Sequence, residues 1–475
     1  MQREHDLPSN GHQPMTHQNT IPPLAQNEFH GLIGVVFTEI NPPEGMYART
    51  WGSSNHDLSD GLHRPLRATC LAFAAQDNAE PLYFMTLDLM AWMSNEDEKG
   101  MREPIETALG ISPGRLILQL SHSHGAPFTD PALIDAPGGD LIAGYRSEIV
   151  DACIRIATEA KTSMIPSILS WGTGKCGLAY NRDLVLPETG EIVCGLNPLT
   201  EAYDTLVVGR VSDMSGTIQA TLVHYAAHPT SLGGGNRLTS PDYIGAMREL
   251  VERDTDGAVC VFLHGADGEL TPRRSFESDA EAADQNGREL GYAALSVLAG
   301  LFRPGERMVF DKRQESGATL GLWKFETQEP DQSIESKVGS VKLKVGELPS
   351  VDACRAECEN APDGFEKERA QRRLALREKV GDVAEFDLPI YVWKLGKTIL
   401  VGAPVEFYSD VQIFLRAAFP DHTVLVLDVC NGFLNYLPRQ EDFVKNSYPV
   451  RISLFAAGSM ERARDKATEI VASMM

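Results

Sequence analysis

The sequence predicts an α/β fold in which a large mixed sheet is flanked by helices and the chemically capable residues gather at the carboxyl ends of the strands. Three observations predict it. Short Val/Ile/Leu-rich runs bounded by Gly or Pro recur along the chain, as strands buried on both faces do. Segments with helical spacing alternate with them. Six of the apolar runs end abruptly in polar, reactive residues, and open α/β sheets bind ligands beyond the carboxyl ends of their strands.

Taken in order, residues 1–27 are rich in Gln, Asn, His and Pro without periodicity and read as a disordered tail. His5, His12 and His17 within it are too irregularly spaced to read as ligands. The first strand with a reactive end is LYFMTLDLM, which stops near Asp88. RLILQLS runs into His122-Ser123-His124, and IQATLVHYAA into His228-Pro229-Thr230-Ser231. AVCVFLHG runs into Asp267-Gly268-Glu269, TILVGAP into Glu406, and TVLVLDVCNG into Asn435-Tyr436. Helices are expected over 144–161, with Ile149, Cys153, Ile154 and Ile156 on one side, and over 278–301, 406–418 and 458–473. Ser240-Pro241-Asp242 predicts another through Val251, with Ser240 as N-cap and proline in the first turn. Residues 28–475 read as one domain. Residues 305–385 break its alternation as a charged insertion, with a candidate flap first and an exposed helix, EKERAQRRLALREKV, later.

Composition excludes several classes of function. The 475 residues carry 66 acidic and 43 basic side chains, a formal charge of -23, which repels nucleic-acid phosphates and anionic headgroups. No apolar run approaches the roughly 18 residues of a membrane span, and the N-terminus has no signal-peptide core. The eight cysteines are scattered apart from Cys354 and Cys358, which share a helix face. A cytoplasmic chain with reduced thiols is expected. Its partner is a small molecule, and a homo-oligomer stays open.

Chemistry concentrates in a few motifs. On an extended SHSHGAP segment (121–127), His122 and His124 would project to one face about 6.7 Å apart. Neutral imidazoles are common zinc ligands, and a second histidine can position or protonate substrate. In HYAAH the two histidines of a strand start about 13 Å apart and cannot share an ion, so His228 faces the ligand edge and His224 the core. Glu406 supplies an anionic oxygen, completing a two-histidine, one-carboxylate set of the kind found in catalytic zinc sites; alone, it would read as a carboxylate at a helix N-terminus. GTGKCG (172–177) lacks the leading glycine and the hydroxyl of a phosphate-binding loop. No GxSxG elbow occurs.

With these motifs in hand, the chain resembles the neutral, non-lysosomal ceramidases over about residues 28–300 and 386–460. SHSHGAP is similar to that family's His-Thr-His-Ser-Gly-Pro segment, HPTS to its His-Pro-Thr-Ser, GAPVE to its Gly-Val-Pro-Gly-Glu, and FLNYLP to its tyrosine-bearing segment. The resemblance implies one Zn2+ per chain held by His122, His228, Glu406 and Tyr436, with Tyr448 lining the site and Asn181-Arg182 near a substrate channel. Thr271 stands where the family's Gly-Asp-Val-Ser-Pro segment has serine, which favours metal-activated water over an acyl-enzyme. The immunoglobulin-like domain that follows in the family is not expected here. His124 and Tyr448 are the candidate oxyanion donors, with backbone amides near Thr271. Asp267 or Glu269 is expected to move a proton or orient a histidine, and Arg182 to meet a substrate carboxylate or hydroxyl. The expected function is zinc-dependent hydrolysis of a soluble N-acyl amide. A true ceramidase and a non-catalytic ligand-binding member are the alternatives.

Overall fold

The computed structural model describes residues 21–475 apart from Asn78, Ser94 and Asp363; most of the expected tail, with its three histidines, lies outside the described residues. Two units are distinguished. Gly305–Glu329 forms a small one with the described residues up to Ala25, and Gln26–Pro304 with Pro330–Met475 forms the large one.

In the large unit an eight-stranded mixed sheet runs in the order Val259–His264, Ile218–Tyr225, Thr205–Asp213, Ile165–Lys175, Glu28–Glu39, Arg67–Ala74, Leu82–Leu87, Leu116–Leu120. Its middle is antiparallel, but the outermost pair at each edge is parallel. The predicted mixed sheet is therefore present, and helices cover one of its faces. Tyr83, Met85, Leu116, Leu118 and Leu120 pack against helix Ile142–Thr162 through Tyr145, Ile149, Cys153 and Ile156. Val223 and Tyr225 pack against helices Tyr243–Asp254 and Ala280–Ala299.

The opposite face carries something the alternation of elements did not reveal. A second sheet, ordered Ile334–Lys344, Glu385–Leu395, Thr398–Gly402, Thr423–Leu427, lies against it. Phe84, Ile117 and Leu222 from the first sheet share one apolar cluster with Trp393, Leu400, Leu425 and Leu427 from the second. The outer face of the second sheet is closed by helices Asp410–Ala418 and Ser459–Ala472. The layers run helix, sheet, sheet, helix. This explains the continuous apolar runs: the strands that carry them, such as Leu82–Leu87, Leu116–Leu120 and Thr398–Gly402, are buried at every residue.

Several boundaries differ from expectation. Helix Tyr243–Asp254 is capped by Asp242, not Ser240, and Pro241 precedes it. Asp242 sits at φ 54°, its carboxylate accepting the N–H groups of Ser231, Leu232 and Tyr243. These donors satisfy a buried carboxylate that would otherwise be costly. The helix expected from residue 406 begins at Asp410, because Glu406–Phe407 instead pairs in parallel with Tyr436–Leu437. Within 305–385, Glu306–Ser316 and Ala318–Thr327 form a hairpin, Ile334–Lys344 edges the second sheet, and Val351–Asn360 and Phe365–Val380 are helices. Cys354 and Cys358 are both buried on the first of these two helices. No helix of the described residues is long and apolar enough to cross a membrane.

Candidate metal centre and active site

The parallel pairs matter most for the site. Strands Leu116–Leu120, Ile218–Tyr225, Val259–His264, Thr398–Gly402 and Thr423–Leu427 all run toward the same cluster, and the loops after them hold its side chains. These loops are strained. His122, Val429, Asn431 and Asn435 have φ of 60°, 53°, 52° and 60°, a region that costs non-glycine residues about 1–3 kcal/mol. Backbone ties hold them there. Leu120 N–H donates to Val429 O at 3.2 Å, Val429 N–H to Val405 O at 3.1 Å, and His124 N–H to Pro229 O at 3.2 Å. Gly125 lets the histidine loop lie against Ser240, since a Cβ there would stand 2.8 Å from the Ser240 carbonyl oxygen.

His122 and His124 converge, but not as an extended strand. The left-handed turn at His122 brings the two rings to 4.9 Å, edge to face, with Nε2 atoms 3.4 Å apart. Around His122 Nε2 the remaining candidate ligands close in. Glu406 Oε2 lies 3.6 Å from it and 2.8 Å from His228 Nε2. Tyr436 Oη lies 3.2 Å from His228 Nε2. All four side chains are buried. His224 is absent from the cluster; its Nε2–H donates to the Val426 carbonyl in the core.

The donor set fits a divalent metal. A ligating imidazole needs one nitrogen turned to the ion and the other fixed by an acceptor. His122 Nδ1–H donates to Met90 O at 2.7 Å, and His228 Nδ1 faces Asp267 O at 2.9 Å, Leu270 O at 3.1 Å and Asp267 Oδ1 at 2.9 Å. Both Nε2 atoms are thereby left for the centre. The ligand atoms of His122, His124 and His228 lie within 4.8 Å of one another, as do those of His228, Asp267 and Glu406. Burial opposes the Glu406 charge, but His122 and His228 outweigh it and hold the carboxyl well below its usual range. Burial and Arg182 work against a proton on His228, yet the Asp267 and Glu406 carboxylates prevail and hold its pKa up at about 9. The pocket is built to attract positive charge.

The outer residues separate into three groups. His124 and Tyr448 flank the centre: His124 touches Trp51 with ring centroids 5.1 Å apart, and the half-exposed Tyr448 meets Tyr436 edge to face at 6.1 Å. Burial, then His122 and His228, push His124 well below its ordinary pKa. Arg182 is buried, donates from Nη2 to Gly268 O at 2.7 Å and lies 5.1 Å from the Tyr436 ring centroid. Gly268 is needed here, because a Cβ would stand 2.7 Å from the Tyr408 ring.

Residues of the third group face elsewhere. The Glu269 carboxylate accepts both N–H and O–H of Ser409, so it anchors the loop after Glu406 rather than a histidine. The Asn181 side chain turns back to accept the Asp183 N–H at 3.0 Å. Thr271 Oγ1 is 3.1 Å from both Thr230 Oγ1 and Ser275 Oγ.

Sequence reasoning missed His264, whose Nε2 lies 2.6 Å from Asp267 Oδ2. It closes an apolar run and read as the last residue of a strand; its place three residues before Asp267, at a reactive strand end, was the available signal. The buried Arg248–Asp88 pair, 2.5 Å apart, was missed too. It steadies the segment leading to Met90, whose carbonyl fixes His122.

No family model matches the chain. Over 381 residues it is 22% identical to the neutral ceramidase of Pseudomonas aeruginosa, covering 70% of this chain and 55% of that protein. The chain thus spans little more than half the length of that curated relative. Among solved structures it resembles a ceramidase complexed with C2, with a TM-score of 0.67 and 16% identity over 95% of this chain and 75% of that one. It also resembles the crystal structure of neutral ceramidase from Pseudomonas aeruginosa, with a TM-score of 0.64, 16% identity and the same coverage. The sequence match and the shared fold together support a likeness to the neutral ceramidases.

Proposed function

We propose that the chain is a zinc-dependent amidohydrolase that cleaves the N-acyl bond of a soluble amide by attack of water. The observation carrying this reading is the convergence of His122 Nε2, His228 Nε2, Glu406 Oε2 and Tyr436 Oη on one buried point, from loops far apart in sequence. These four side chains would hold the zinc. When bound, it polarises the amide carbonyl and acidifies a water molecule, the chemistry of catalytic zinc generally.

The chain's own groups do the rest. His124 and Tyr448 stand at the approach to the centre and donate hydrogen bonds to the oxyanion that develops on the amide oxygen. Arg182, behind Tyr436, adds a fixed positive charge on the same side. Thr271 is a poor nucleophile here, since its hydroxyl contacts are the hydroxyls of Thr230 and Ser275, neither of which is a base. Asp267 faces two histidines and Glu269 is held by Ser409, so the proton that the attacking water gives up passes to the leaving amine by way of His124.

A soluble substrate is supported by two features. The formal charge of -23 disfavours anionic lipid surfaces. The small cleft beside His124, about 20 Å³, is lined mainly by polar groups, with Arg49, Ser54, His56, Asn236 and Arg237 beside Trp51 and Leu238, whereas a long acyl chain gains its binding energy from apolar surface. The names of the relatives favour a second reading, hydrolysis of ceramide. A panel of N-acyl amides graded in acyl length separates the two. High turnover of short, polar amides without detergent supports the first; activity that climbs with chain length and requires detergent supports the second. Turnover of no amide by zinc-loaded protein refutes both.

A further inference from the structure

Among the described residues, His264 is the one wholly buried imidazole beside the centre that the proposed mechanism does not use. It ends the strand Val259–His264. One oxygen of the Asp267 carboxylate lies 2.6 Å from His264 Nε2, and the other lies 2.9 Å from His228 Nδ1. Asp267 therefore bridges two imidazoles. The His264 ring also stacks on His122, with centroids 5.4 Å and planes 19° apart. It meets both histidines of the centre, one through a carboxylate and one through its ring face.

The position of His264 is itself fixed. Its N–H donates to Gln119 Oε1 at 3.1 Å, and its carbonyl accepts from Gln119 Nε2 at 2.8 Å and Asp428 N–H at 3.2 Å. Its Nδ1 has no hydrogen-bond partner among the described residues. A neutral ring in this setting carries its proton on Nε2, where Asp267 accepts it. His264 holds one carboxylate oxygen and the other lies 2.9 Å from His228 Nδ1, whose N–H donates to the Asp267 and Leu270 carbonyls; with Asp267 held in this way, His228 keeps the tautomer that turns Nε2 to the centre. Without His264, Asp267 Oδ2 would lose its imidazole donor in a fully buried place, a costly state that a turn of the carboxylate would relieve at the expense of His228.

We infer that His264 is a positioning residue of the metal centre, fixing the tautomer and angle of His228 through Asp267 and backing His122 by stacking. The inference rests on the zinc reading above.

The test compares His264→Phe, which keeps ring and volume but has no donor, with His264→Gln, whose amide N–H can reach toward Asp267. Zinc affinity is measured by chelator competition on the full chain, alongside the visible spectrum of the cobalt-substituted protein. The Phe variant is expected to bind zinc about 10- to 100-fold more weakly, as loss of a ligand's supporting partner does. Its cobalt spectrum should shift, while the Gln variant stays within about threefold of the parent. Combined with Asp267→Asn, His264→Phe should add no further loss. Unchanged affinity in the Phe variant, equal loss in Phe and Gln, or additive losses would each overturn the inference. A parent chain that binds no zinc would refute the metal reading instead. The positioning role is then decided by 15N-histidine NMR of the parent, which should show His228 as the Nδ1–H tautomer and His264 as the Nε2–H tautomer. Mixed tautomers at His228 would overturn it, and this measurement needs no variant to fold.

Discussion

Two stretches of β-structure in this chain have opposite surroundings. Strands Leu116–Leu120 and Thr398–Gly402 are buried at every residue, and the loops after them hold His122 and Glu406. The hairpin of Glu306–Ser316 and Ala318–Thr327 has no third strand among the described residues beyond a single bridge from Leu24 to Met308, and most of its residues are exposed, Phe310, Leu320, Trp323 and Phe325 among them. Strand propensity is similar in both; cover is not. A strand packed on both faces can hold a strained loop at its end, such as His122 at φ 60° or Val429 at φ 53°. A two-stranded ribbon is marginal by itself and can impose little strain on anything.

The largest effect is expected where strain and burial meet. Glu406→Ala and His228→Ala should each abolish stoichiometric metal and lower kcat/KM by at least about 1000-fold; full metal content in either variant would break the contrast. Next comes Tyr448→Phe, which removes an oxyanion donor at the approach and should lower kcat by about 100-fold with little change in metal content. Steady-state kinetics beside metal analysis separates these two cases.

Stability should divide the same way. Trp393 is fully buried between the sheets and its indole N–H donates to Gly114 O at 2.8 Å; Trp393→Ala should cost about 3–5 kcal/mol in denaturant unfolding. Leu320→Thr on the hairpin should stay within about 0.5 kcal/mol. Similar costs at both positions would dissolve the comparison.

A smaller effect concerns pH. Burial raises Glu269 to about 7, against the hydrogen bonds from Ser409 that favour its charged form. The folded chain therefore binds this proton more tightly than the unfolded chain, where the ordinary value applies. Above pH 7 the group is charged in both states and its burial costs stability. As pH falls from about 7 toward 4.5 the folded state takes up the proton first and the cost is relieved. Glu269→Gln should flatten unfolding free energy across that window; an unchanged slope would place the titration elsewhere. The smallest effect is expected for Thr271→Ala, whose kcat should stay within about tenfold of the parent if water is the nucleophile. A loss as large as that of Glu406→Ala would restore a covalent route.

What was legible in the sequence follows the same division. Runs such as TILVGAP, RLILQLS and IQATLVHYAA are apolar because both faces are covered, so their abrupt polar ends singled out Glu406, His122 and His228 as candidates from the sequence alone. The second sheet was not legible, because a strand covered by a sheet and one covered by a helix read alike. His264 was hidden by its company, since a histidine closing VCVFLH looks like the end of a core strand until Asp267 is seen to reach back to it. Ser240 looked like the helix cap because Ser-Pro is a common opening; the buried amides of Ser231 and Leu232, which Asp242 serves, come from another segment. The hairpin escaped because a mixed pattern of charged and apolar residues gives no clear period.

Zinc K-edge absorption combined with anomalous diffraction from crystals of the zinc-loaded chain tests the central claim most directly. One peak per chain is expected, bounded by His122, His228, Glu406 and Tyr436, with nitrogen and oxygen ligands at about 2.0–2.2 Å. A peak elsewhere, sulfur in the coordination shell, or no ordered zinc would contradict it.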